Sequence, residues 1–260
     1  MHEMRDLLDI DLRKLQMMPL STVRVAVIDS GVDASHGDLS GKVEQAFRFS
    51  SDRSDGKKII MRRINGEINN DTANHGTAVA GIITRIAPNV VIHDYRVLNK
   101  HCRGEGEVTA GAFEAAVQSD VNIINMSLAC RSEFRSRLAA ICERAYNTGK
   151  IVVASQYFPE KDEIGLPAEF SSCIGVGMGM HRNPFTLEYV PKSPIEFLAA
   201  GEKVPCLRMG GGYEYRFGTS IAAPHVSGIV ALLLGKCPNL TPYEVKALLQ
   251  YLAERRKMMG

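Results

Sequence analysis

The sequence has no apolar run near the about 18–20 residues that cross a bilayer, so no membrane partner is expected. Its first residues set Glu3, Asp6, Asp9 and Asp11 among apolar side chains, the wrong pattern for a secretory signal; a cytoplasmic protein is expected. Neither sign of charge dominates. A net charge of +2 makes no strong field and gives no case for nucleic acid as a partner, and the run Arg255-Arg256-Lys257 reads as a solvated helix end. The six cysteines are scattered, with no Cys-x-x-Cys and no zinc-type Cys/His spacing. Free buried thiols are therefore expected, not a disulfide framework. No phosphate-binding glycine motif follows a strand, and Gly210-Gly211-Gly212 lacks the needed spacing, which sets aside a nucleotide-binding reading. Repeats, low-complexity tracts and Pro/Gly linkers are also missing, so one domain is expected.

The chain has 260 residues, 45% hydrophobic and 23% charged, a balance that can bury a sizeable core. Residues 1–21 read as an N-terminal extension with an amphipathic helix over 3–16, which would pack on the core or cover a cleft; residues 22–260 form the domain. Strands are expected at 23–28, 90–97, 122–127, 151–154 and 173–177, and helices from about His75 and over 108–119, 133–148, 220–235 and 241–254. The polar stretch 45–72 suggests a surface excursion with a hairpin at Asn65-Gly66. Short apolar strands alternating with helices predict an α/β fold whose mostly parallel sheet is covered on both faces.

Three segments carry chemistry. Val25-Ala26-Val27-Ile28-Asp29-Ser30-Gly31 delivers an acid at the carboxyl end of a buried strand, where open α/β sheets place their sites. Asn74-His75-Gly76-Thr77 puts an imidazole at a helix start, and Gly218-Thr219-Ser220-Ile221-Ala222-Ala223-Pro224 feeds a serine from a glycine turn into another. A serine hydroxyl needs a neighbouring base, and imidazole titrates near neutrality. Asp29 would orient the ring and stabilise the imidazolium, while the backbone N–H of Ser220 faces the developing oxyanion. Each segment alone has a plain reading as a cap or turn; their occurrence together in the order Asp, His, Ser does not.

These segments resemble the subtilisin family of serine peptidases, as do Arg96-Val97-Leu98, Asn125-Met126-Ser127-Leu128, Gly165-Leu166-Pro167-Ala168 and Ala199-Ala200-Gly201. The resemblance implies a three-layer fold with about seven parallel strands, Asp29, His75 and Ser220 as a catalytic triad, a peptide or protein substrate, and no cofactor. It also implies that Gly104, Glu105, Gly106 and Glu107 form a strand that pairs with extended substrate, facing Ser127, Leu128, Ala129 and Cys130 across the cleft. Glu105 and Glu107 would then favour basic side chains upstream of the cut, or else face water.

Departures from the family pattern are specific. The strand ending Ala154-Ser155-Gln156 is not followed by the usual oxyanion Asn. Either Gln156 substitutes, a donor comes from elsewhere, or turnover is slow or lost; losing one such donor costs about 10²–10³, a magnitude taken from subtilisin itself. Thr84-Arg85-Ile86-Ala87-Pro88 runs from helix to strand without the family's calcium loop, so no metal site is expected. Ala129 and Cys130 replace two glycines and should narrow the pocket, with Cys130 a small buried side chain. Only 22 residues precede Val23, too few for a folding prodomain, so unaided folding or another control is expected.

Overall fold

The computed structural model describes every residue except 1–6, 9, 53, 55–57, 67, 158–164 and 260. β1 (Val23–Asp29) runs through the middle of the sheet. Val25 and Val27 enter the core on one face, Ala26 and Ile28 the core on the other, as a strand covered on both sides requires. β5 (Ile123–Met126) and β6 (Ile151–Ser155) divide their side chains the same way, Ile123 and Val153 to the first core, Ile124 and Val152 to the second.

On one side of β1 lie β4 (Val90–Arg96) and then β2 (Val43–Asp52); on the other lie β5, β6, β7 (Ile174–Gly179) and β9 (Phe197–Ala200). All of these neighbours pair in parallel, which is the expected parallel core. Antiparallel edge strands β3 (Lys58–Ile64) and β8 (Leu187–Tyr189) raise the count to nine. They escape a search for buried apolar runs because β3 is largely exposed and β8 has only three residues. β10 (Val204–Leu207) and β11 (Tyr213–Arg216) form a separate ribbon. β2 pairs with β3 from Asp52↔Lys58 to Ala46↔Ile64, so Asn65-Gly66 follows the hairpin and does not turn it.

α1 (Leu12–Gln16), α2 (Gly76–Ile86), α5 (Thr219–Lys236) and α6 (Pro242–Met259) cover the first core; α3 (Gly106–Gln118) and α4 (Arg135–Asn147) cover the second. α5 does reach membrane-crossing length and hydropathy, contrary to the sequence reading, but 83% of it is buried inside the protein. A helix apolar all round belongs in such a core. The expected 3–16 helix is not continuous, because extended Asp11 caps α1 and its carboxylate accepts from Arg13 N–H; the described part of the segment packs on the core, with Leu7, Leu12 and Leu15 buried. Gln16 Nε2 donates to the Arg85 and Ile86 carbonyls, both at 2.8 Å, satisfying acceptors at the end of α2 far from His75.

Strand order reverses between β1 and β5, since the chain builds β2 and β4 on one side before crossing to the other. The carboxyl ends at this switch point are where a crevice is expected.

Candidate active site

Asp29 ends β1 fully buried. Its carbonyl accepts N–H bonds from Val97 (2.8 Å) and Leu98 (3.1 Å), and its Oδ1 accepts one from Ser30 N–H at 2.7 Å. His75 stands at the N-cap of α2, with Nδ1 2.8 and 2.9 Å from the two Asp29 carboxylate oxygens. Its Nε2 lies 3.0 Å from Ser220 Oγ. The three residues expected to act together form one hydrogen-bonded row.

Close backbone approach makes this row possible. A β-carbon on Gly76 would overlap the Gly31 carbonyl, so only glycine lets α2 begin against the end of β1. Asp71, buried behind the loop, fastens it: Oδ1 accepts from Ser30 Oγ (2.6 Å) and from Ala73 and Asn74 N–H (both 3.0 Å). Oδ2 accepts from Thr77 Oγ1 (2.6 Å) and Thr77 N–H (3.0 Å). Sequence reading passed over Asp71, although an acid four residues before the imidazole, with Ser30 beside Asp29, was a visible signal.

Ser220 follows Gly218, whose φ of 130° is open to glycine and strained for other residues. Ile221 and Ala222 N–H both reach the Gly218 carbonyl; Ser220 N–H, in the first turn of α5, has no acceptor within the helix. Thr219 Oγ1 donates to the Gln156 carbonyl at 2.6 Å, tying the serine turn to the end of β6.

These residues open on a cleft of about 1270 Å³ lined by Leu98, Gly104, Ser127, Gln156 and Phe217 among others. Leu128, Ala129 and Cys130 line it too, as expected. Burial pushes the Cys130 thiol up to about 11, so it stays protonated at neutral pH and serves as wall. Among the described residues the six cysteines are free, but Cys102 is exposed at the cleft rim. Gln156 N–H is committed to the Val176 carbonyl, and its side-chain Oε1 is directed to Gly177 on β7.

The expected substrate-pairing strand needs correction. Gly104 and Glu105 are extended, but Gly106 and Glu107 open helix α3, with Glu105 as its N-cap. Gly104, Glu105 and Gly106 line the cleft; Glu107 does not, and bonds Arg137. A first-turn carboxylate suits the positive end of a helix, and the Phe134 ring fills the space above Gly106. Glu105 accepts from Ser51 Oγ at 2.9 Å. The two glutamates thus do not form an acidic rim.

Opposing influences act on His75. Burial disfavours its charged form, but the charge and hydrogen bond of Asp29 outweigh this and hold the imidazole above its ordinary value; Arg216 pulls it down and Asp71 adds to the rise.

The model of the subtilase family matches residues 21–259. The chain belongs to that family. This subtilase is 32% identical over 240 residues to subtilisin DY of Bacillus licheniformis, covering 87% of this chain and 81% of that one. It is 31% identical over 225 residues to a thermophilic serine proteinase of Bacillus sp. (strain AK1), covering 83% of this chain but 53% of the relative. Among solved structures, sphericase superposes with a TM-score of 0.73 at 26% identity, over 92% of this chain and 87% of that one. The S41 psychrophilic protease gives 0.71 at 25%, over 88% and 82%. The subtilase fold thus stands on sequence and on structure.

Proposed function

We propose that this subtilase is a serine endopeptidase that cleaves a protein or precursor peptide through an acyl-enzyme on Ser220. The observation that carries the reading is the row Asp29–His75–Ser220, with contacts of 2.8, 2.9 and 3.0 Å. Ser220 Oγ attacks the scissile carbonyl carbon as its proton passes to His75 Nε2. Asp29 holds the Nδ1–H tautomer and stabilises the imidazolium. Ser220 N–H faces the oxyanion, and the Gln156 amide, which lines the cleft at the end of β6, is the candidate second donor. Collapse of the tetrahedral adduct breaks the C–N bond, and His75 returns the proton to the leaving amine. Water, activated by the same imidazole, then hydrolyses the ester. A fluorophosphonate probe is expected to label Ser220 in the folded protein and not in Ser220→Ala; an unlabelled native serine counts against the proposal.

Gln156 standing where the family's oxyanion Asn is usual favours one second reading, a peptide-binding module with little turnover. Binding and cleavage of one peptide by native protein and by Ser220→Ala separate the two. Binding by both with cleavage by neither selects the module.

A further inference from the structure

A second cavity, of about 720 Å³, lies beside the cleft and shares Leu98, Arg103, Gly104 and Glu105 with it. Its described lining places Arg48, Arg96, Lys100 and Arg103 against one carboxylate, Glu105, which already accepts the Ser51 hydroxyl. Arg48 and Arg96 are direct partners in the parallel ladder of β2 and β4. Like charges side by side on one face cost stability, and an anion between them would reverse that cost. Arg96 is half-buried and gives one N–H to the Asn70 carbonyl at 3.0 Å. Burial first, then the charge of Arg48, pull its guanidinium below the ordinary arginine value, against the buried Asp94 and Asp71. Arg48, Lys100 and Arg103 are exposed, so their long side chains can converge on a ligand. Guanidinium forks match carboxylate and phosphate oxygens.

We infer that this basic cavity receives an anionic side chain, carboxylate or phosphate, from the peptide bound in the adjoining cleft. Leu98, Arg103, Gly104 and Glu105 line both cavities, so a chain extended past Gly104 and Glu105 runs along the wall of the cavity that the four cations line. The subtilase therefore selects acidic residues on the Gly104 side of the scissile bond, opposite to the basic preference that Glu105 and Glu107 suggested in the sequence. The inference rests on the peptide-binding reading of the cleft and adds its specificity.

The test uses Ser220→Ala protein and fluorescent peptides in which Asp, Glu, phosphoserine, Ala or Lys is scanned through each position, read by anisotropy. At one position the acidic residues are expected to bind at least about tenfold tighter than Ala, with Lys weakest, and the ratio should shrink as salt rises. Adding Arg48→Glu and Lys100→Glu should bring that ratio to one or invert it. Arg48→Gln with Lys100→Gln should lower it, with thermal melts showing both proteins folded. Equal binding of acidic and neutral peptides, no peptide binding, or a preference that survives both pairs unchanged overturns the inference. Cleavage by native protein is scored separately: acid-selective binding without cleavage sinks the peptidase proposal and supports the cavity, whereas cleavage without acid selectivity does the reverse.

Discussion

At His75 burial disfavours the charged form, Asp29 more than offsets it, and the cation of Arg216 pulls the base the other way. Arg216 Nε donates to Glu214 Oε1 at 2.5 Å, and Asn74 Nδ2 donates to the same oxygen at 2.9 Å, which ties the Arg216–Glu214 pair to the residue before His75. Only neutral His75 can take the Ser220 proton, so the acid limb of kcat/KM follows its folded pKa. Because that value is raised, the limb should lie above the ordinary histidine value of about 6.5. Arg216→Gln removes a charge that opposes the imidazolium and releases Glu214, and both changes favour protonation. The limb is expected to move to higher pH, measured on an uncharged peptide; a limb that stays or moves down contradicts the assignment. Linkage has the matching sign: the stability His75 gains from Asp29 is fully present below its unfolded pKa and is lost as pH rises through the folded one.

Among the elements, α2 has little tolerance at its start, because its first residue lies against the backbone that follows β1. Gly76→Ala would drive a β-carbon into the Gly31 carbonyl, and neither backbone can yield like a flexible side chain. The expected loss is about 1–3 kcal/mol or more, seen as a lower urea midpoint, with a fall in kcat because His75 moves with the helix. A variant with unchanged midpoint and kcat would show that the approach is looser than drawn. α3 illustrates a different dependence. Gly104-Glu105-Gly106 reads as extended loop in isolation, yet the helix starts at Gly106 because Phe134 packs on it and Arg137 meets Glu107. Both partners lie about thirty residues away, beyond any local pattern.

For the molecule as a whole, pH stability should carry the signature of Asp94. This carboxyl is fully buried in β4; Oδ2 accepts from Asn70 Nδ2 (2.7 Å) and Val32 N–H (3.1 Å), while Oδ1 has no hydrogen-bond partner among the described residues. Burial outweighs those two bonds and raises it to about 7, with Asp71 adding to the rise. The folded state thus binds a proton that the unfolded state releases near pH 4, so stability declines as pH climbs from about 4 to about 7. Asp94→Asn should flatten that decline, gaining more in melting temperature at pH 8 than at pH 5. Equal shifts at the two pH values would mean that Asp94 does not titrate in this range.

Most of the parallel sheet was legible in the residues, because strands such as 23–28 and 151–154 are apolar at successive positions and demand cover on both faces. The edge strand β8 was not, since three residues carry no such mark, while for β2 and β3 the polar stretch 45–72 showed a hairpin but not its turn. The three reactive residues announced themselves through the glycines and small residues around them, which reflect local backbone needs. Asp71 left only its spacing before His75 as a trace, and the influence of Arg216 on His75, which comes from the separate β10–β11 ribbon, left none.

Consecutive residues by themselves determined the order of acid, imidazole and hydroxyl, the strands that carry them and the family they belong to, because turn chemistry and two-faced burial are written locally. Only the tertiary structure decided that the N-terminal helix docks on the core, that α3 begins at Gly106, and that Arg48, Arg96, Lys100 and Arg103 gather beside the cleft. The physical reason is common to all three. Each depends on contacts and fields between groups far apart along the chain, and those exist only once the sheet has brought them together.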